Sequence, residues 1–288
     1  MKKAFKYRRN HFYKDDEITV VPINQQTDIP MHNHDCHELV IVLSGEGNHI
    51  TEEETYRIFS GDVFIIPPGK LHCYSETENL NLVNIMFWSN RIPMPYADML
   101  ELPGYHALFA LEPKLRYKQS FKTRLTLKPD ELQIISALIK NIESELKEKQ
   151  KGYRSMTIMH FFHLICEISR FYSSNQSKAT QSLMRIGQLL SHLESHYHQQ
   201  ITIDDMAKIS HLSLSSLNRI FLKTQGVSPV KYLLLLRLKK ARVMLDNTLK
   251  QVTEIAYNSG FNDSNYFTRQ FKKTYHCSPR EYRNKKIS

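Results

Sequence analysis

The sequence predicts an α+β multidomain protein. A jelly-roll β-barrel comes first, two long helices follow, and an all-α domain of two helix-turn-helix units joined by a linker helix ends the chain. Three observations carry this. Short runs rich in Val, Ile and Phe fill the first third. From Pro129 the apolar period changes from 2 to 3.6. Residues 183–288 hold an internal repeat at an offset of fifty positions. A length of 288 residues suits two domains. The divisions expected are 1–128 for the barrel and an N-terminal arm, 129–172 for the helical region, 173–181 for a linker, and 182–288 for the helical domain.

The barrel rests on runs at 18–22, 39–43, 63–66 and 80–87. Turn residues separate them: Gly45, Gly47, Gly61 and Pro67-Pro68-Gly69. Within this region stand two spaced motifs. One is His32-x-His34-x₃-Glu38-x₆-Gly45; the other is Gly61-x₅-Pro67-x-Gly69-x₂-His72. Tyr74 and Trp88 nearby could each serve as the wall of a pocket or as core.

Leu132, Ile135, Leu138, Ile139, Ile142 and Leu146 mark one face of a first helix. A second is expected over 153–172, with Met156, Met159, Phe162, His163, Ile165 and Cys166 as inward candidates. The run SSNQSKATQ at 173–181 is polar and reads as a linker. Leu183, Ile186, Leu189, Leu190, Leu193 and Tyr197 then form one helical face.

The repeat is the sharpest feature. Arg219, Phe221, Lys223, Thr224, Ser228, Pro229 and Tyr232 fall on Arg269, Phe271, Lys273, Thr274, Ser278, Pro279 and Tyr282. Each copy has a short amphipathic helix, 203–210 or 252–259, then a tight turn, then a second helix capped by Ser213 or Asp263. Thr202 and Asp205 make a capping box; Gln251 and Glu254 make a weaker start. Gly260 suits a positive φ and His211 does not, so the first turn is expected to be built differently. Leu217, Ile220 and Phe221, and Phe267, Gln270 and Phe271, face inward. The opposite faces carry Ser215, Ser216, Asn218, Arg219 and Lys223, and Ser264, Asn265, Thr268, Arg269 and Lys272. Such residues read base edges. The helix begun by Ser228-Pro229 is ~27 Å long at 1.5 Å per residue. A spacer of that length suits recognition helices one DNA turn, about 34 Å, apart.

Charge points the same way. The chain has 39 Lys+Arg and 29 Asp+Glu, and residues 183–288 hold 17 basic and 7 acidic side chains, so that segment carries the whole net excess of +10. Localised basic charge is the footprint of a phosphate-backbone partner, double-stranded DNA. Cys36, Cys73, Cys166 and Cys277 form no CxxC pair, which suits a reducing compartment. Residues 1–14 lack the apolar core of a signal peptide, and no apolar run is long enough to span a membrane. A cytoplasmic location is expected.

The strings Ser213-Leu214-Ser215-Ser216-Leu217-Asn218-Arg219-Ile220-Phe221 and Gly260-Phe261-Asn262-Asp263-Ser264-Asn265-Tyr266-Phe267 resemble the DNA-binding domain of AraC-family transcription regulators. Val252-Thr253-Glu254-Ile255-Ala256-Tyr257 and Ser278-Pro279-Arg280-Glu281-Tyr282-Arg283 extend the resemblance. His276 departs from it, since the family often has Gly there. By this similarity positions 215, 218 and 219 of one helix, and 264, 265, 268 and 269 of the other, face bases. Arg219 and Arg269 would meet guanine, and Asn218 and Asn265 adenine, with a phosphate contact as the alternative for Arg219.

The two N-terminal motifs resemble those of the cupin superfamily. In its metal-binding members these positions hold a divalent ion, and His32, His34, Glu38 and His72 occupy all four. That ligand set suits Zn, Mn, Fe or Ni. The superfamily's terminal Asn is absent; Glu76 stands there. In regulators of this type the barrel usually takes an organic effector. The effector pocket is therefore expected at His32, His34, Glu38, His72 and Tyr74. No cofactor is required, and a divalent metal stays open. Residues 80–91 and 102–109 are similar to the L-rhamnose-regulator branch of the family, which implies a sugar effector. The resemblance also implies a homodimer through the helices at 129–172, RNA polymerase as a partner, and activation of carbohydrate-use genes. The alternatives are a metal-dependent cupin enzyme, or a sensor of metal or a non-sugar ligand on the same DNA-binding domain.

Overall fold

A computed structural model describes residues 16–92, 97–111, 113, 124–174 and 178–287. The expected N-terminal arm, residues 1–14, lies outside them. The chain divides into two compact units, Met1–Gly187 and Gln188–Ser288.

The first unit is built on an antiparallel sheet. Its strands are β1 (Ile18–Ile23), β2 (His37–Thr51), β3 (Thr55–Phe59), β4 (Asp62–Ile66), β5 (His72–Phe87) and β6 (Leu125–Thr126). The order is β1-β5-β2-β4-β6, with β3 also paired to β2. The four sequence runs all fall in strands. Two strands had no such signal: β3 follows three consecutive glutamates, and β6 is only two residues long.

The expected turn at Gly45 and Gly47 is instead the interior of β2. This strand runs for 15 residues and slips register against β5 between Val42 and Ser44, Ser44 and Glu46, and Glu46 and Asn48. Gly45 has φ +74°, and a Cβ there would stand 2.1 Å from the Asn79 carbonyl oxygen. Bulges bend a strand and increase its twist. β2 thus pairs with β4 through residues 38–41 and with β3 through 46–50 on one edge, while β5 follows the other. The curled inner face buries Val40, Val42, Tyr56, Ile58, Phe64, Ile66, Tyr74, Leu80 and Leu82.

Short helical turns at Ala97–Glu101, Pro103–Tyr105 and His106–Leu111 precede α1 (Pro129–Glu148) and α2 (Tyr153–Ser174). α1 buries Ile135, Leu138, Ile139 and Ile142, as its periodicity predicts. On α2 the inward stripe is Phe161, Leu164, Ile165, Ile168 and Tyr172. Of the expected inward residues only Ile165 is buried. Phe162 and Cys166 are half-buried, while Met156, Met159 and His163 are exposed. The helix is apolar around much of its girth, so composition did not single out the packed side.

The polar run at 173–181 is not an extended linker where it is described. Ser173 and Ser174 end α2, and α3 (Lys178–His196) begins four residues before the expected start at Ser182. No Gly or Pro breaks the run, and Lys, Ala and Gln favour helix. The division between units falls inside α3.

The second unit continues with α4 (Ile203–Ser210), α5 (Leu214–Gln225), α6 (Pro229–Asn247), α7 (Val252–Asn258), α8 (Ser264–Tyr275) and α9 (Pro279–Ile287). The caps are as predicted. Thr202 and Asp205 close a capping box, Ser213 accepts from Ser216 N–H, Ser228 from Lys231 N–H, and Asp263 from Asn265 N–H. Gln251 makes no side-chain cap. One expectation is corrected: His211 takes the left-handed conformation, φ 49°, and closes α4 by the αL route. His276, φ 62°, likewise ends α8 as Gly226, φ 74°, ends α5. Local hydrogen bonding lets a non-glycine cap hold this conformation. The His211 N–H donates to Ala207 and Lys208 carbonyls, and the His276 N–H to Lys272.

α6 serves both halves of this unit. It buries Leu233 and Leu236, and also Leu238, Ala241 and Leu245, the last three packing with Ile255, Ala256, Phe261, Phe267 and Phe271. Its Arg237 donates through Nε to the Tyr197 carbonyl at 2.8 Å and through a terminal nitrogen to Gln199 at 2.7 Å, tying down the chain that leaves α3. Among the described residues no helix is long and apolar enough to cross a membrane.

Candidate nucleic-acid interface and effector cavity

The fifty-residue repeat is structural. α5 and α8 each span twelve residues, and each opens on a capped turn and ends on a left-handed residue. Leu217 and Phe221 of α5, and Phe267 and Phe271 of α8, are fully buried. Burial of that stripe fixes which side faces outward. Ser215 and Arg219 of α5, and Asn265, Arg269 and Lys272 of α8, are exposed there. Ser216, Asn218, Lys223, Ser264 and Thr268 are half-buried.

Three of these spend hydrogen-bonding capacity locally. Ser216 meets the Ser213 hydroxyl at 3.0 Å. The Asn218 amide donates to the Leu214 carbonyl at 3.1 Å, and the Thr268 hydroxyl to Ser264 at 2.9 Å. The cations are held differently. Among the described residues no carboxylate pairs with Arg219, Lys223, Arg269 or Lys272, while Lys240 and Lys250 are paired with Glu194 and Glu254. Unpaired cations beside helix faces are free to neutralise phosphates or reach base edges.

The second site lies in the first unit. After β1 the chain runs back along β5: Gln26 N–H bonds the Leu80 carbonyl, Ile29 N–H that of Tyr74, and His32 and His72 exchange both backbone bonds at 2.9 Å. This return brings His32 and His34 to His72, with ligating nitrogens within 4.8 Å of one another. Glu38, on β2, is buried beside them, its Oε2 at 3.0 Å from His34 Nε2 and 3.4 Å from His72 Nε2. Burial alone would push the Glu38 carboxyl up. The two imidazoles outweigh it and hold the group well below the usual carboxylate range. Burial, then the nearby His72, lowers His32 to about 4. Neither Glu38 oxygen makes a hydrogen bond of normal geometry with the described residues.

These groups open on a cavity of about 340 Å³. His32, His34, Glu38 and Tyr74 line it. His72 is not in the lining: it is buried, with its ring centroid 4.3 Å from that of His32. Trp88 is half-buried outside the cavity, with the Arg91 guanidinium over its ring. Motif reading missed Val21, Ile23, Gln26, Asn84 and Met86, which also line the cavity. They sit on or beside strands with no motif. The available signal was Asn84, a polar residue inside the apolar run 82–86.

Comparison with known proteins finds a match in each unit. The family described as "Helix-turn-helix domain" matches residues 206–285, and the one described as "Cupin domain" matches residues 19–87. The chain is 30% identical to "HTH-type transcriptional activator RhaR" of Mannheimia succiniciproducens, over 95% of this chain and 94% of that protein. The chain belongs to the AraC family of transcription regulators. It is 32% identical to "HTH-type transcriptional activator RhaS" of Escherichia coli O1:K1 / APEC, over 92% of this chain and 91% of the relative. Among solved structures, the C-terminal domain of the two-component response regulator yesN from Fusobacterium nucleatum is 35% identical. It covers 33% of this chain and 93% of its own, with a TM-score of 0.32. As an AraC-family protein, this chain is a DNA-binding transcription regulator, and α5 and α8 both lie within the matched helix-turn-helix region.

Proposed function

We propose that the protein is a homodimeric activator of carbohydrate-use genes, and that a sugar in the cavity of the first unit controls it. One observation carries the effector class. The cavity of about 340 Å³ combines polar groups, Gln26, Glu38 and Asn84, with an apolar side of Val21, Ile23, Ile29 and Met86. A hexose has that mixture of hydroxyls and C–H faces. The names of the RhaR and RhaS relatives support activation, and hence RNA polymerase as a partner. Exposed Met156 and Met159 on α2 support pairing of two copies there. The chain acts by binding rather than catalysis.

Control requires that the effector bind two arrangements of the protein unequally. The test is a gel-shift titration of the full chain on the promoter beside its own gene, with and without a panel of neutral sugars. One sugar is expected to raise affinity for that DNA over random competitor. No change with any sugar would remove the effector reading; no preference over competitor would remove the assignment of α5 and α8.

A second reading rests on a separate observation. Three histidine nitrogens within 4.8 Å, beside a buried carboxylate whose oxygens lack normal hydrogen bonds, fit a divalent ion. We propose His32, His34, Glu38 and His72 as its ligands, where it would polarise an effector hydroxyl. Metal analysis of purified protein tests this. A bound equivalent that His34→Ala releases is the expected result.

A further inference from the structure

Strand β5 places one polar side chain in its apolar run Leu82-Val83-Asn84-Ile85-Met86. Asn84 stands opposite Val40 of β2 and Val21 of β1. Residues directly opposed on antiparallel strands share a face. Asn84 therefore looks to the same side as Val40, Val42 and Leu82, the inner face of the curled sheet, and it lines the cavity. Asn84 is 8% exposed, and its amide oxygen accepts no hydrogen bond from any described residue. A buried acceptor with no donor destabilises the fold, whereas leucine at this position would simply extend the core. An unpartnered acceptor on a residue that lines a cavity marks where a ligand's donor belongs.

The neighbours define that donor. Glu38 is another acceptor on the same face, diagonal to Asn84 across the β2–β5 ladder. Among the described residues that line it, none is Lys or Arg. A phosphorylated or acidic sugar would bring negative charge to the Glu38 carboxylate, with no Lys or Arg among the described lining residues to answer it. Hydroxyl groups supply donors without that cost. Val21, Ile23, Ile29 and Met86 offer surface to an apolar sugar edge.

We propose that Asn84 is the residue that reads the effector, by accepting a hydrogen bond from a hydroxyl of a neutral, unphosphorylated polyol. The inference rests on the sugar reading above and adds the residue and the charge class. A site built to bond a hydroxyl strongly rejects ligands that leave its polar group unpaired.

The test is calorimetric titration and thermal melting of the purified full chain. The probes are L-rhamnose, D-mannose, D-gluconate and D-glucose 6-phosphate. The wild type is expected to bind a neutral sugar and neither anion. Asn84→Leu should weaken that sugar by about tenfold or more. It should also melt, without sugar, at or above the wild-type temperature, because the orphan acceptor is gone. A merely structural asparagine would lower that temperature. Asn84→Ala serves if the leucine variant does not fold. Variants with unchanged sugar affinity overturn this inference and leave the sugar reading standing. A preference for gluconate or the phosphate overturns the charge class. A wild type that binds none of the neutral sugars overturns both readings.

Discussion

Arg219 and Arg269 occupy the same place in the two copies, but their neighbours differ. Before Arg219 stands an asparagine whose amide donor is bound to its own helix; before Arg269 stands a threonine bound the same way. Asn265, one turn earlier on α8, spends only its backbone N–H among the described residues, on the Asp263 cap. The second helix thus keeps an asparagine amide and an arginine free on one exposed face, and it is expected to supply more of the base reading. Arg269→Ala should cost about 1–3 kcal/mol on the operator and relax preference at one base pair. Fluorescence anisotropy across single-base operator variants measures this. A uniform loss over all sequences would place Arg269 on a phosphate instead. These residues were legible because the repeat and the helical period together show which side is packed. Asn84 was not, because no local pattern tells whether a polar residue in a strand faces solvent or a cavity.

At the scale of elements, the helix ends and the β2 bulges decide the geometry. His276 closes α8 at φ 62°, where its counterpart in the first copy is Gly226. A side chain in that conformation costs roughly 1–2 kcal/mol that glycine avoids. His276→Gly should raise the melting temperature by a few degrees, in line with about 1 kcal/mol in a domain of this size. A lower temperature would mean that the imidazole makes contacts worth more than the strain. Gly45→Ala should act oppositely. Its Cβ would stand 2.1 Å from Asn79 O, so β2 or β5 must shift, and the change should lower the melting temperature and weaken effector binding. The sequence marks Gly45 as a place where the backbone turns sharply. A turn and a bulge both use φ > 0, and only the partner strand distinguishes them.

For the whole molecule the governing feature is the uneven charge. Residues 183–288 carry the full excess of +10, while the described residues that line the cavity include no lysine or arginine. The two binding events should therefore respond differently to salt. DNA affinity should fall steeply, by about 10³-fold between 50 and 200 mM salt if some six phosphates are contacted. Affinity for a neutral sugar should stay nearly flat over the same range. Anisotropy and calorimetry in matched buffers read both, and a steep salt dependence of sugar binding would mean that the effector is charged.

Periodicity, caps, the repeat and the charge count determined by themselves that this chain pairs a β-rich unit with two basic helix-turn-helix units. Each of those signals is local or additive, and a linear sequence carries it directly. Tertiary structure alone decided that the chain after β1 folds back along β5 to bring His32 and His34 to His72. It also decided that Asn84 faces inward and that the α2 methionines face outward. Those outcomes depend on pairings between residues far apart in the chain, and burial is a property of the partner as much as of the residue itself.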